Sequence, residues 1–315
     1  MTQMVETGRG RVQARATVRK LLRAGLSQQQ RIRLKALQAA VRKRAAPALK
    51  IVHGAFDRAD LVAHLRPMLP ADFEILMVHS AFDQMLPMFK GTPQDVVGAL
   101  REIAGPERTV AMPAFVMGGP TQDVGGYFAS HPFDVRRTPS EAGIISEVFR
   151  RSPGVERSLH PTCSISAQGP DAAQMTENHQ FATNGMGPGT PFGFMTRHRT
   201  VILGLGVEYF RCLTHAHTAA AEMGDDFPAV HRPGGTVEVT LVGRTGDRLP
   251  FRLGAANPRQ HLDLTLLSSL LSRHELREWR FHGIPMFLVT DAGTVTRRLI
   301  EAARKGITIY GRVKQ

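Results

Sequence analysis

The chain has 315 residues, 42% of them hydrophobic and 21% charged, with a formal net charge of +13. That length leaves room for an ample core in one large domain or two small ones, and the balance is that of an ordinary globular chain. There is no run of 18 apolar residues and no apolar signal-peptide core, and Cys163 and Cys212 alone make no disulfide framework, so a reducing, cytoplasmic setting is the expectation.

The charge is unevenly spread. Residues 1–50 hold 13 Lys/Arg against one acid, Glu6, and the remaining 265 residues balance to +1. The first 50 residues therefore read as a basic helical extension, and residues 51–315 as the body. Helices are expected over 12–26 and 28–46; in the second, Leu34, Leu37 and Val41 recur at helical spacing among Arg and Lys. A cationic amphipathic helix suits peripheral contact with an anionic membrane surface. The structural use of the same face is packing on the body or on a second subunit, as in a homodimer. No aromatic interleaving or recognition motif accompanies the charge, which argues against specific nucleic-acid binding.

From residue 50 onward, strand and helix patterns alternate. Residues 60–69 read as helix, 75–79 as a buried strand, and 92–103 as a helix with Pro93 at its first position. Residues 109–115 form the next strand, and 116–138 a long Gly/Pro-rich loop of the kind that is usually functional. Thr138-Pro139-Ser140-Glu141 has the composition of a helix start, with Ile144, Ile145, Val148 and Phe149 on one face and a stop at Ser152-Pro153-Gly154. Residues 163–167 and 201–206 read as strands, 171–178 and 213–223 as helices. Residues 236–243 and 249–253 flank a Thr245-Gly246-Asp247 turn and predict a hairpin. A helix over 260–271, a strand over 286–290 and a helix over 294–305 complete the chain. The fold class is α/β: a mixed sheet flanked by helices, with antiparallel strands toward the C-terminus and the basic extension at the start.

The order of Val78-His79-Ser80, Val110-Ala111-Met112-Pro113, the 138–141 cap, Arg157-Ser158-Leu159-His160-Pro161, Gly189-Thr190-Pro191, the strand ending Gly204-Leu205-Gly206 and Thr214-His215-Ala216-His217 resembles the aminoglycoside 3-N-acetyltransferase family over about residues 55 to 230. The resemblance implies acetyl-CoA as co-substrate, a small-molecule primary amine as acceptor, and no metal. It points to His217 as general base, since the family carries a histidine at T-x-x-H after the G-x-G strand. His215 is the alternative in a second register. The family's carboxylate three residues on is missing: position 220 is alanine, and Glu222 at i+5 lies roughly 140° around an α-helix. Glu222 is therefore a strained partner for His217, unless a π-bulge shifts the register or another acid orients the ring.

His79 and Ser80 stand at the C-terminal end of a buried strand, where α/β sites open, and Ser80 can donate to a carbonyl or the pantetheine arm. Thr138 and Ser140 at a helix start would offer hydroxyls and amides; capping alone would also explain them. By resemblance, Arg157, Ser158 and His160 border the cofactor site, with Arg157 toward a phosphate, while His160 before proline also has a structural reading. The loop after Pro113 shows Met117, Gly118 and Gly119 where the family commonly carries an acid, with Asp123 beyond. That favours a less cationic acceptor than an aminoglycoside, such as a sugar nucleotide or glycan precursor. Three rivals stand beside this reading: a zinc site from His160, Cys163, Cys212 and His215, a cysteine hydrolase using Cys212 with His215 or His217, and a catalytically inactive family member that binds through its basic arm.

Overall fold

A computed structural model describes residues 28–119, 123–182, 184–228, 236–254 and 262–312. The helix expected over 12–26 and the start of the one expected at 260 lie outside the described residues.

The centre is a seven-stranded mixed sheet in the order β4-β5-β2-β1-β6-β10-β9. Its strands are β1 (Ile75–Ser80), β2 (Thr109–Pro113), β4 (Glu156–Arg157), β5 (Ile165–Gln168), β6 (Thr200–Leu205), β9 (Leu276–Phe281) and β10 (Ile284–Val289). β1 runs parallel to both β2 and β6, while β5 and β10 add antiparallel strands on either side. β1, β2 and β6 are buried along almost their whole length, as expected of parallel strands covered on both faces.

Alternation along β1 divides the core. Leu76 and Val78 join one cluster with Val96, Leu100, Ile145 and Phe149, and Ile75 and Met77 join the other with Met195, Ala219, Val295 and Leu299. On the first face lie α3 (Arg58–Leu65), α4 (Pro93–Ala104) and α6 (Ile144–Arg150). On the second lie α7 (Pro191–Arg197), α8 (Thr218–Met223) and α9 (Ala292–Ala303). Local chemistry explains several helix starts: Thr92 and Asp95 close a capping box before Pro93, and Thr190 Oγ1 caps α7 with Pro191 in its first turn.

Within the large sheet the chain passes from β1 to β2 on one side and, after the small-sheet hairpin, from β6 to β9 and β10 on the other, so adjacent parallel strands are continued in opposite directions. Such a switch point opens a crevice beyond the strand C-termini.

Four differences from the sequence expectations bear on the site. The 116–138 segment is not an irregular loop: it carries α5 (Val124–Ser130) and β3 (Phe133–Asp134). β3 pairs in parallel with β7 (Thr236–Val242), which forms the expected hairpin with β8 (Arg248–Gly254), and this small sheet has its own core of Phe128, Phe133, Val239 and Leu241. The helix expected from the Thr138 cap begins only at Ile144, after Gly143 at φ 117°, and Ile144 is exposed rather than on the buried face. The helix expected over 213–223 is broken into a turn at Tyr209–Cys212, a 3₁₀ segment at Thr214–His217, and α8. Finally, β9 was not expected at all, because its charged alternation Leu-Arg-Glu-Trp-Arg-Phe hides a half-exposed edge strand. The His282-Gly283 turn, both residues at positive φ, joins it to β10.

The proposed boundary at residue 50 falls inside a helix. α1 (Gln28–Arg44) and α2 (Ala46–His53) precede the body. Arg42 donates to Leu86 O and Gln84 O, Leu49 packs on the first core cluster, and His282 Nδ1 donates to His53 O at 2.6 Å. Leu37 and Val41 are exposed, as are Ile51 and Val52. Among the described residues no helix is long and apolar enough to cross a membrane.

Candidate active site

His79 and Ser80 close β1 at the switch point, opposite Gly204 and Leu205 of β6. Strand alternation sends them to opposite faces of the sheet. His79 lies on the face of Met77, is buried, and has no hydrogen-bond partner for Nε2. Burial, helped by nearby His215, lowers its pKa to about 3, so the ring is neutral at pH 7. Ser80 Oγ is also buried without a partner, and Gly143 lies beside it, where a Cβ would be in ordinary contact, 3.5 Å from the Ser80 carbonyl oxygen. Thr138 and Ser140 stand before Gly143 rather than at a helix N-terminus. Thr138 Oγ1 accepts from Asp134 N, Ser140 Oγ accepts from Ala142 N, and Ser140 N donates to Glu147. Their polar groups tie the 134–142 turn.

Arg157 was expected to face a cofactor phosphate. It is instead buried, with its guanidinium donating to Ser164 Oγ, Thr138 O and Ala114 O and lying 4.7 Å over the Phe133 ring. Burial brings its pKa down to about 9. The side chain links β4, the end of β2 and the small sheet, a long-range role that no local motif announces.

His160 Nδ1 accepts from Thr162 N and Cys163 N, and its ring stacks on His179 at 4.6 Å. His179, which sequence reasoning missed, donates Nε2–H to Gly185 O at 3.0 Å. Its Nδ1 is 2.8 Å from Ser158 Oγ, and the neutral ring must accept there. Burial lowers both histidine pKa values, that of His179 to about 4. The cluster fixes the loop through Gly185, where a Cβ would overlap Cys163 and His160.

The 3₁₀ segment separates the two remaining histidines. His215 is fully buried, with Nε2 between Thr196 Oγ1 (3.3 Å) and Thr296 Oγ1 (3.2 Å), and burial lowers its pKa to about 4. His217 is only partly buried, and Nδ1 lies 2.6 Å from Tyr310 Oη. Of the two rings, only His217 offers a surface to a ligand. Glu222, weighed as its partner, has Oε1 buried without a hydrogen-bond partner.

The loop after Pro113 carries more negative charge than its own sequence shows. Glu141 reaches back so that its carboxylate accepts from Met117 N, and Glu141 N donates to Phe115 O. Asp123 caps α5 by accepting from Gly126 N. Glu141 was read only as a cap residue; the fold brings it across 24 positions of sequence.

The proposed zinc set does not assemble: among the described residues no three His, Cys, Asp or Glu side chains form a metal-ligand group. The hydrolase alternative fares no better. The Cys212 thiol faces Glu208 O, and burial pushes its pKa far up, leaving no thiolate for nucleophilic attack. A cleft of about 420 Å³ lined by Arg101, Arg108 and Gln168 lies at the other end of β2, remote from these groups.

Comparison with known proteins places the chain. The sequence model of the family described as aminoglycoside 3-N-acetyltransferase matches residues 77–263, more than half of the chain. Aminoglycoside N(3)-acetyltransferase IV of Salmonella sp is 32% identical over 120 residues, 38% of this chain and 41% of that protein. Aminoglycoside N(3)-acetyltransferase IX of Micromonospora chalcea is 27% identical over 175 residues, 51% and 62% of the two chains. The chain thus spans about two-fifths to three-fifths of the length of these relatives. The crystal structure of aminoglycoside acetyltransferase AAC(3)-Xa superposes with a TM-score of 0.66 at 22% identity, covering 86% of this chain and 100% of that one, a likeness of fold. The chain belongs to the aminoglycoside 3-N-acetyltransferase family.

Proposed function

We propose that this member of the aminoglycoside 3-N-acetyltransferase family transfers the acetyl group of acetyl-CoA to a primary amine of an aminoglycoside-class amino sugar, with His217 as general base. The observation that carries the reading is His217 itself: a partly exposed imidazole just before α8, hydrogen-bonded at Nδ1 to Tyr310. Its relatives are named for acetylation of aminoglycosides; among the solved neighbours, AAC-IIIb is in a binary complex with CoASH and AAC-VIa is bound to sisomicin.

The chemistry needs few groups. The amine nitrogen attacks the thioester carbonyl, a C–N bond forms, the C–S bond breaks, and coenzyme A leaves as the thiol. His217 Nε2 takes the proton the nitrogen must lose and returns it to the departing thiolate. Ser80 Oγ, buried with no protein partner, fits a thioester oxygen as its hydrogen-bond donor, and negative charge developing on that oxygen strengthens the bond. Neutral His79 beneath it keeps this end of the sheet free of a competing charge.

Glu141, whose carboxylate reaches the backbone at Met117, supports a polycationic acceptor over the sugar nucleotide favoured by the loop sequence alone, since a carboxylate there attracts ammonium groups.

Calorimetry with acetyl-CoA, followed by thiol release on a panel of aminoglycosides and amino-sugar nucleotides, tests the reading. His217→Gln should bind acetyl-CoA normally and lose about 10²–10⁴ in kcat. Failure of the wild-type chain to bind acetyl-CoA would end the enzyme reading; binding without turnover on any amine would leave a binding protein.

A further inference from the structure

Tyr310 sits at the tip of a short C-terminal hairpin made by β11 (Ile307–Thr308) and β12 (Gly311–Arg312). Three contacts fix the tip. Ile309 is buried in the second core cluster, and its carbonyl accepts from Asp263 N at 2.7 Å. Thr308 Oγ1 donates to Gly311 O at 2.8 Å and accepts from Tyr310 N at 3.1 Å. The ring meets Phe227 edge-on at 5.9 Å. Its hydroxyl reaches His217 Nδ1 at 2.6 Å, from 93 residues away in sequence.

The space between the hairpin tip and α8 is small and mostly apolar. A pocket of about 10 Å³ is lined by Ala216, Ala219, Ala220, Phe227, Leu299 and Tyr310, among others. Ala220 is three residues beyond His217 on the same helical face, where a longer side chain would reach the imidazole. The methyl of Ala220 leaves that reach to the phenol.

We propose that Tyr310 is the positioning residue for His217, holding Nδ1 from the C-terminal hairpin in place of a carboxylate one helical turn away. The proposal rests on His217 being the base. For Nε2 to accept a proton, Nδ1 must carry one, and the phenol oxygen is then its acceptor. Burial pushes the Tyr310 pKa up to about 12, so the phenol stays neutral and the bond strengthens when the imidazolium forms. A neutral phenol stabilises that cation less than a carboxylate does, and, unlike one, it can also donate. Among the described residues, the other titratable groups on the segments packed here are His215 and Glu222, Asp225 and Asp226 in the turn after α8, Arg197 at the end of α7, Asp263 beside Ile309, Arg312 on β12, and α9's Arg297, Arg298 and Glu301; Arg298 is paired with Glu275 and Glu301.

The test uses the full chain with Tyr310→Phe, Ala220→Glu and the double variant. Long-range ¹H–¹⁵N spectra read the His217 tautomer and titration without any substrate. Wild type should show protonated Nδ1; Tyr310→Phe should shift population to protonated Nε2 and lower the imidazolium pKa by roughly half a unit to one unit, the loss of one hydrogen bond to the charged form. In turnover, Tyr310→Phe should lose about 10- to 100-fold in kcat with KM little changed, as expected for a misplaced group. Adding Ala220→Glu should restore the rate and raise the acid limb of the pH profile above that of wild type. An unchanged tautomer and titration in Tyr310→Phe would overturn the proposal while leaving His217 as base. Full activity in His217→Gln would instead remove the reading beneath it.

Discussion

Moving from pH 7 to pH 5 should cost this fold roughly 6 kcal/mol through three buried histidines, each losing about 1.4 kcal/mol per pH unit below its unfolded pKa near 6.5. His79, His179 and His215 have folded pKa values of about 3, 4 and 4, each lowered chiefly by burial. Between those values and 6.5 the unfolded chain binds protons that the folded chain refuses. The stability these groups contribute is therefore complete above about pH 6.5 and is lost as pH falls toward the folded values. At pH 5 the loss is about 2 kcal/mol for each ring, and three together approach the whole stability of an ordinary domain, about 5–15 kcal/mol. His160, stacked on His179 and shifted in the same direction, adds to it. The assay is urea unfolding at pH 7, 6 and 5 by far-UV circular dichroism, with fluorescence of Trp279, the one tryptophan, as a second probe. Trp279 Nε1 donates to His64 Nε2 at 2.8 Å, so the dichroism decides where the probes differ. Equal unfolding free energies at pH 7 and 5, within about 1 kcal/mol, would refute the reasoning; His215→Asn should remove about a third of the slope.

Two further outcomes are expected. Gly204→Ala on β6 should destabilise by about 3 kcal/mol or more, because a Cβ there would overlap the ring of Phe287, its cross-strand partner; a smaller side chain at 287 in the same chain should recover much of that loss, read as a shift in Tm. Deleting residues 1–44 should leave a folded body, since the anchoring contacts of Leu49 and His53 stay, while weakening binding to anionic vesicles in a sedimentation assay. Unchanged vesicle binding would take the basic segment out of that role.

Much of the sheet was legible because its strands are short apolar runs bounded by turn residues. Residues 75–79, 109–115 and 201–206 were located to within a residue or two. The strand-end places expected of His79 and Ser80 match the close of β1, while His217 was proposed from resemblance to the family's Thr-x-x-His pattern. The edge strand β9 escaped because one face is solvated and carries charge. The Thr138 cap misled because capping side chains also close turns: Thr138 and Ser140 tie the 134–142 turn, and the helix waits for Gly143. Nothing local distinguishes an arginine that meets a phosphate from one that, like Arg157, is folded inward against carbonyls 19 and 43 residues away.

Hydrophobic period, turn chemistry and charge segregation determined the class of fold, the strands that end at the crevice and the basic start of the chain, because each of those is a property of neighbouring residues. The partners of the site groups belong to tertiary structure alone. Tyr310 reaches His217 across 93 residues, Glu141 reaches Met117 across 24, and His179 meets Ser158 across 21. A hydrogen bond needs two groups within about 3 Å whatever their separation in sequence, and only the closed sheet with both faces covered brings them there.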